Sequence, residues 1–248
     1  MRPRLRMLLA TFSWVFLVVA ATCLLAGCSS SETALTTSTS ARSSSTSLPQ
    51  VLPKIGQILF DGDSLTAGSG ATDPYPSQVM RSLPGAIKWR NLGKGGRRVG
   101  DMLKTADAQV DPLFDPRLGR NVVVIWGGSN DLALMDHEPS VVYQNVRSYC
   151  IERERRGFAV LVLTLLPRSD RFGKGFEVRR QAVNRMLRAH WPEFANGLVD
   201  VAADPRIGPA GAERDHDYYV PGHVHLNNRG LAVVAGHVVA GLLRLTSQ

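Results

Sequence analysis

Disulfide chemistry has almost nothing to work with in this chain. Three cysteines occur in 248 residues: Cys23, Cys28 and Cys150. The first two lie within or directly after an apolar N-terminal run, so the folded part keeps Cys150 alone and no intramolecular bridge. Cys150 follows Val142 and Val146 at helical spacing, which predicts a core-filling thiol. No internal repeat is visible, which argues against solenoids and propellers. The net charge is +8, yet no recognisable motif or basic helix accompanies it, and nucleic acid is not favoured as a partner. The glycine-rich stretch at Gly93 to Gly96 is not followed by Gly-Lys-Ser/Thr, which disfavours a phosphate loop. His223 and His225 have no third ligand at matching spacing, so neither a metal nor an organic cofactor is implied.

The N-terminus is rich in what the remainder lacks. Arg2, Arg4 and Arg6 precede a nearly all-apolar stretch from Met7 to Leu25, which ends in Leu25-Ala26-Gly27-Cys28. This resembles a bacterial lipoprotein signal with its lipobox. The resemblance implies cleavage before Cys28 and lipid attachment to its sulfur. An uncleaved transmembrane anchor is the other reading, because the run is almost long enough to span a bilayer. Both place the domain outside the cytoplasm. Residues 29–47 contain 14 Ser or Thr out of 19; such a segment buries too little apolar surface to offset its ordering entropy and reads as a tether. The expected organisation is a signal peptide at 1–27, lipidated Cys28 with the tether to 50, and one domain over 51–248. Without Arg2, Arg4 and Arg6 the mature chain has 26 basic and 21 acidic residues, a net +5, which suits an anionic membrane or wall polymer.

Within the domain, short apolar runs are bounded by turn residues. Strands are predicted at Ile55 to Phe60, Ala86 to Trp89, Val122 to Trp126, Ala159 to Leu165 and Leu198 to Val201. Near-continuous apolar strands imply burial on both faces and hence a parallel sheet. Helices are predicted at about 76–83, 99–109, 139–155, 176–190 and 228–245. The alternation gives a doubly wound α/β fold. In such folds ligands bind beyond the carboxyl ends of the strands. The unusual segments fall there: 61–66, 91–98, 127–131, 167–176 and 203–225, the last reading as a long structureless loop.

These segments carry the chemistry. Gly62-Asp63-Ser64-Leu65 follows the first strand, and a serine on a tight turn is a candidate nucleophile. Asn91 to Gly96 offers backbone N–H groups. Gly128-Ser129-Asn130-Asp131 offers an amide that can donate to a developing oxyanion, or a turn or cap asparagine. His225-Leu226-Asn227 lies just before the last helix, whose positive dipole end disfavours an imidazolium and suits a neutral base.

Taken in order, the four blocks resemble the SGNH hydrolases, also called GDSL-type esterases and lipases. The first block is Gly62-Asp63-Ser64-Leu65, the second Asn91 with Gly96, the third Gly128 to Asp131, and the last His225-Leu226-Asn227 with Gly230. The resemblance implies a three-layer α/β/α sandwich with a five-stranded parallel sheet, flavodoxin-like in plan. It implies Ser64 as nucleophile, His225 as base, and an oxyanion hole made by the Ser64 and Gly96 N–H groups and the Asn130 amide. The absence of Gly-x-Ser-x-Gly argues against the larger α/β-hydrolase group.

One block departs from the family. Its aspartate, three residues before the histidine, is Gly222 here. Three outcomes follow: a backbone carbonyl takes over orientation and gives a Ser–His dyad, or Asp215 or Asp217 folds back from the long loop to fill the role, or nothing does and the site is damaged. Arg97, Arg98, Arg168, Arg171 and Lys174 follow strand ends and either rim the mouth, favouring an anionic substrate, or are solvated loop charge. The expected activity is hydrolysis of short acyl esters on cell-envelope carbohydrate or lipid, by a monomer held to the membrane through Cys28. An acyltransferase on the same scaffold and an inactive glycan-binding module are the alternatives.

Overall fold

The computed structural model describes residues 54–247 except 171, 173 and 174. The predicted signal peptide, Cys28, the tether, Arg171 and Lys174 therefore lie outside the described residues. Five strands, β1 (Ile55–Gly62), β2 (Lys88–Asn91), β3 (Arg120–Trp126), β4 (Ala159–Leu163) and β5 (Gly197–Val199), form one sheet in the order β2-β1-β3-β4-β5. Every pairing is parallel, with Ile58 opposite Val122 and Val124 opposite Leu161. Successive side chains of a strand point to opposite faces. Ile58, Phe60, Val122, Val124 and Trp126 enter one apolar layer, while Leu59, Val123 and Ile125 enter the other. Both layers are sealed by helices, which is why Ile58-Leu59-Phe60 of β1 and Val122 to Trp126 of β3 read as continuous apolar runs.

The helices are α1 (Ser64–Ala67), α2 (Tyr75–Ser82), α3 (Val99–Gln109), α4 (Ser129–Leu134), α5 (Pro139–Arg155), α6 (Phe176–His190) and α7 (Asn228–Thr246). Residues of α2 and α7 fill the first layer and those of α3, α5 and α6 the second, completing the α/β/α sandwich. By length and composition α7 is apolar enough to cross a membrane. Its stripe of Leu231, Val234, Val238 and Leu242 is instead buried against the sheet. Cys150 is buried on α5, and burial pushes its thiol far above the usual range.

Several elements differ from the sequence expectation. β2 lies at Lys88–Asn91 rather than Ala86 to Trp89, and all four of its residues are exposed. It is an edge strand paired only with β1, so its register follows β1 and not an apolar pattern of its own. β5 is displaced one residue upstream and is three residues long. Loop 203–225 is not structureless: it contains a 3-10 turn at Ala212–Arg214 and ends in an antiparallel bridge between Tyr219 and Leu226. The Tyr219 hydroxyl donates to the Ile207 carbonyl at 2.7 Å and ties the loop to itself.

Candidate active site

β1 delivers its last residue, Gly62, to the carboxyl edge of the sheet, and the chain turns at once into α1. Asp63 caps that helix by accepting the Leu65 N–H at 2.9 Å. The Asp63 carboxyl is almost completely buried, and burial pushes it up to about 7 against the opposing pull of the Leu65 N–H and the Arg168 charge. Ser64, the first residue of α1, is left half-exposed.

The histidine arrives from the other end of the chain. Asn227 caps α7 by accepting the N–H groups of Arg229 and Gly230 at 2.9 and 3.0 Å. The bridge from Tyr219 to Leu226, with the Val220 N–H donating to the His225 carbonyl at 3.0 Å, sets His225 on the returning arm of a hairpin. Its Nε2 lies 2.9 Å from Ser64 Oγ. A hydroxyl that donates to Nε2 requires the neutral ring with its proton on Nδ1. Burial lowers the His225 pKa, the Arg168 charge adds to that, and Asp170 opposes it.

Among the described residues nothing hydrogen-bonds His225 Nδ1. Asp215 accepts the Asp217 N–H at 2.9 Å, and Asp217 faces Arg229 at 3.4 Å. Neither carboxylate meets the imidazole. Gly222, at the family aspartate's position, has φ +106 with no atom within 4 Å of where a Cβ would sit. Space for an aspartate exists, but the backbone is left-handed and strains any L side chain.

The remaining blocks surround the serine. Gly93 approaches α1 so closely that a Cβ would lie 2.3 Å from the Ala67 nitrogen. Asn91 does not reach the site. It donates to the Thr66 carbonyl and accepts the Gly93 N–H, each at 2.9 Å, and so seats the loop on α1. Asn130, buried in the first turn of α4, donates one amide hydrogen to the Arg97 carbonyl at 3.0 Å, which fixes its plane. Asp131 accepts the Val99 N–H at 3.0 Å and caps α3. Ser64, Gly96, Asn130 and His225 share the wall of one cavity of about 470 Å³.

The arginines separate. Arg97 does not rim the mouth: its guanidinium is buried against Asp61 at 2.6 Å, and Asp61 also accepts from the Tyr149 hydroxyl at 2.6 Å. Arg98 pairs with Asp101 at 2.7 Å. Arg168 alone of the described three lines the cavity, together with Asp170. Asp170 escaped the sequence reading although it stands in the same strand-end segment. No group of three or more His, Cys, Asp or Glu among the described residues is placed to hold a metal ion.

Solved structures share this architecture. A lipolytic protein of the G-D-S-L family from Veillonella parvula superposes with a TM-score of 0.61 at 20% identity, over 76% of this chain and 98% of that one. The esterase EstA from a Pseudoalteromonas gives 0.57 at 15% identity, over 78% and 100%. A family 3 carbohydrate esterase from Clostridium thermocellum gives 0.59 at 15%, over 78% and 98%. At such identities the likeness is one of fold. No curated protein sequence matches the chain. The GDSL-like lipase/acylhydrolase family model, however, matches residues 60–233. With a serine and a histidine in hydrogen-bond contact at the edge of this sheet, the chain belongs to the GDSL-like lipase/acylhydrolase family and is a carboxylic ester hydrolase.

Proposed function

We propose that Ser64 is the nucleophile and His225 the general base of a serine esterase acting on short acyl esters. The observation that carries this is the 2.9 Å contact between Ser64 Oγ and His225 Nε2 at the wall of an open cavity. Ser64 Oγ attacks the ester carbonyl carbon as its proton passes to Nε2. The carbonyl oxygen becomes an oxyanion, met by the Ser64 and Gly96 N–H groups and the free hydrogen of the Asn130 amide. The intermediate collapses, the C–O bond to the alcohol breaks, and the alcohol leaves with the proton from Nε2. Water repeats the sequence, releasing the acid and restoring Ser64.

Among the described residues Leu134, Pro221 and Val224 are the only large apolar walls of the cavity, which supports a short acyl group on a polar alcohol such as envelope carbohydrate. Acyl transfer uses the same acyl-enzyme, with a sugar hydroxyl in place of water; adding acceptor sugars and looking for acylated product separates the two. A fluorophosphonate probe should label the wild-type protein and not Ser64→Ala, and p-nitrophenyl acetate hydrolysis should disappear in the same variant. Labelling that survives Ser64→Ala would remove the serine from the mechanism.

We also propose export as a lipoprotein anchored outside the cytoplasm, supported by Leu25-Ala26-Gly27-Cys28 after the apolar run. Intact mass of the protein from a membrane fraction should show acylated Cys28 at the N-terminus; retention of Met1 would replace this with a plain anchor.

A further inference from the structure

We propose that Arg168 recognises an anionic group, a carboxylate or a phosphate, carried by the ester substrate. The inference rests on the Ser64–His225 reading above and names the substrate class of that same site.

Arg168 is the one cation among the described residues that lines the catalytic cavity. Its side chain is only 6% exposed, so it is a built part of the wall and not solvated loop charge. Two corners of the guanidinium are committed. Nε donates to Asp170 Oδ1 at 2.9 Å and Nη2 to Asp170 Oδ2 at 2.6 Å. The Phe176 ring supports the guanidinium carbon at 5.8 Å from its centroid. Nη1 is the corner left over, with a single long contact of 3.5 Å to Ser129 Oγ. A fork held on one side by a carboxylate and on one face by a ring is pre-organised, so little entropy is lost when its free corner meets a second oxyanion. Arg168 and Asn130, the proposed oxyanion donor, line the same cavity.

The surroundings of His225 favour the same occupant. The ring faces Ser64 from α1 and the charges of Arg168 and Asp170 from the segment after β4; Asp63, on the α1 cap, faces Arg168 in turn. That segment is joined to the histidine loop by the Ser169 N–H donating to the His223 carbonyl at 3.1 Å. With glycine at 222, no carboxylate among the described residues hydrogen-bonds the imidazole; Asp170, whose charge favours the imidazolium, is itself held by Arg168. An anionic group seated on Arg168 brings negative charge into the cavity at that step.

The test compares esters matched except for charge. On the alcohol side these are 4-acetoxybenzoate and 4-acetoxybenzamide, with 4-acetoxyphenyl phosphate to separate phosphate from carboxylate. On the acyl side they are p-nitrophenyl hemisuccinate and p-nitrophenyl butyrate. The wild-type protein at low salt should prefer the anionic member of at least one pair by about tenfold in kcat/KM, the worth of one charge-assisted hydrogen bond. Arg168→Gln should bring that ratio to about one, whatever happens to the absolute rates, and Arg168→Lys should keep part of it. Fluorophosphonate labelling of each variant shows that its site is folded. A wild-type ratio near one in every pair, or a preference that survives Arg168→Gln, overturns the proposal. Wild-type protein that neither labels nor cleaves any ester fails one step earlier and removes the esterase reading itself.

Discussion

His225 is depressed by burial and by Arg168, and the direction of that shift fixes how activity responds to acid. A general base works only when neutral, and a lowered pKa keeps it neutral further into acid. The acid limb of kcat/KM should therefore lie below pH 6.5, the ordinary histidine value, and should move up towards it in Arg168→Gln; a limb above 6.5 in the wild type contradicts the site's electrostatics. Asp215→Asn and Asp217→Asn should each leave kcat nearly unchanged, since neither carboxylate meets the imidazole, whereas loss of a true triad aspartate costs on the order of 10⁴. Arg97 presents the opposite case, a residue whose sequence context misleads. It follows a strand end like Arg168, but its partner Asp61 stands 36 positions upstream, and only the pairing of β1 with its neighbours brings the two together. Breaking a buried pair leaves an uncompensated charge, so Arg97→Met should cost about 3–5 kcal/mol in urea unfolding. A surface-like loss of a few tenths would refute the buried assignment.

At the scale of elements, legibility followed length and burial. β3 announced itself as Val-Val-Val-Ile-Trp because both its faces are covered. α5 was readable from the helical spacing of Val142, Val146 and Cys150, and α7 from its apolar stripe. α1 and α4 were not, because four and six residues are too short to show a period. Yet those two short helices carry Ser64 and Asn130, so the motif was visible where the element was not. The α1 cap has its own signature. Asp63 in the folded protein holds its proton up to about pH 7, while an unfolded aspartate releases it near pH 3.9. Between those values the folded state binds more protons, so this group's contribution to stability falls as pH rises. Asp63→Asn keeps an oxygen to accept the Leu65 N–H and removes the titration. Relative to wild type it should gain stability progressively from about pH 4 to pH 7; a difference between the two proteins that is flat with pH would show that Asp63 is not protonated in the fold.

Across the whole molecule, the order β2-β1-β3-β4-β5 brings Ser64, Gly96, Asn130 and His225 together from segments far apart in sequence. Strand direction could be inferred from apolar runs, so the edge that holds the site was legible. The pairing of Arg168 with Asp170 was not, because adjacent opposite charges in a loop look the same whether they are solvated or walled in. The same sheet direction decides where the chain ends go. Lys54 enters at the amino edge, where its carbonyl accepts the Arg120 N–H at 3.1 Å. α7 runs back from the site, and its end meets that edge, where Arg120 donates to the Leu245 carbonyl and Thr246 shares a groove with Lys54 and Ile55. Both ends of the described domain thus leave from the pole opposite the mouth. A bead or a fusion partner joined directly at either described end holds the domain by its base, with the cavity turned away from the point of attachment. Immobilisation through either end should leave kcat/KM on a soluble ester unchanged, while attachment through a cysteine introduced at Leu134 should close the mouth. Equal loss from all three attachments would mean that the ends and the cavity are not at opposite poles.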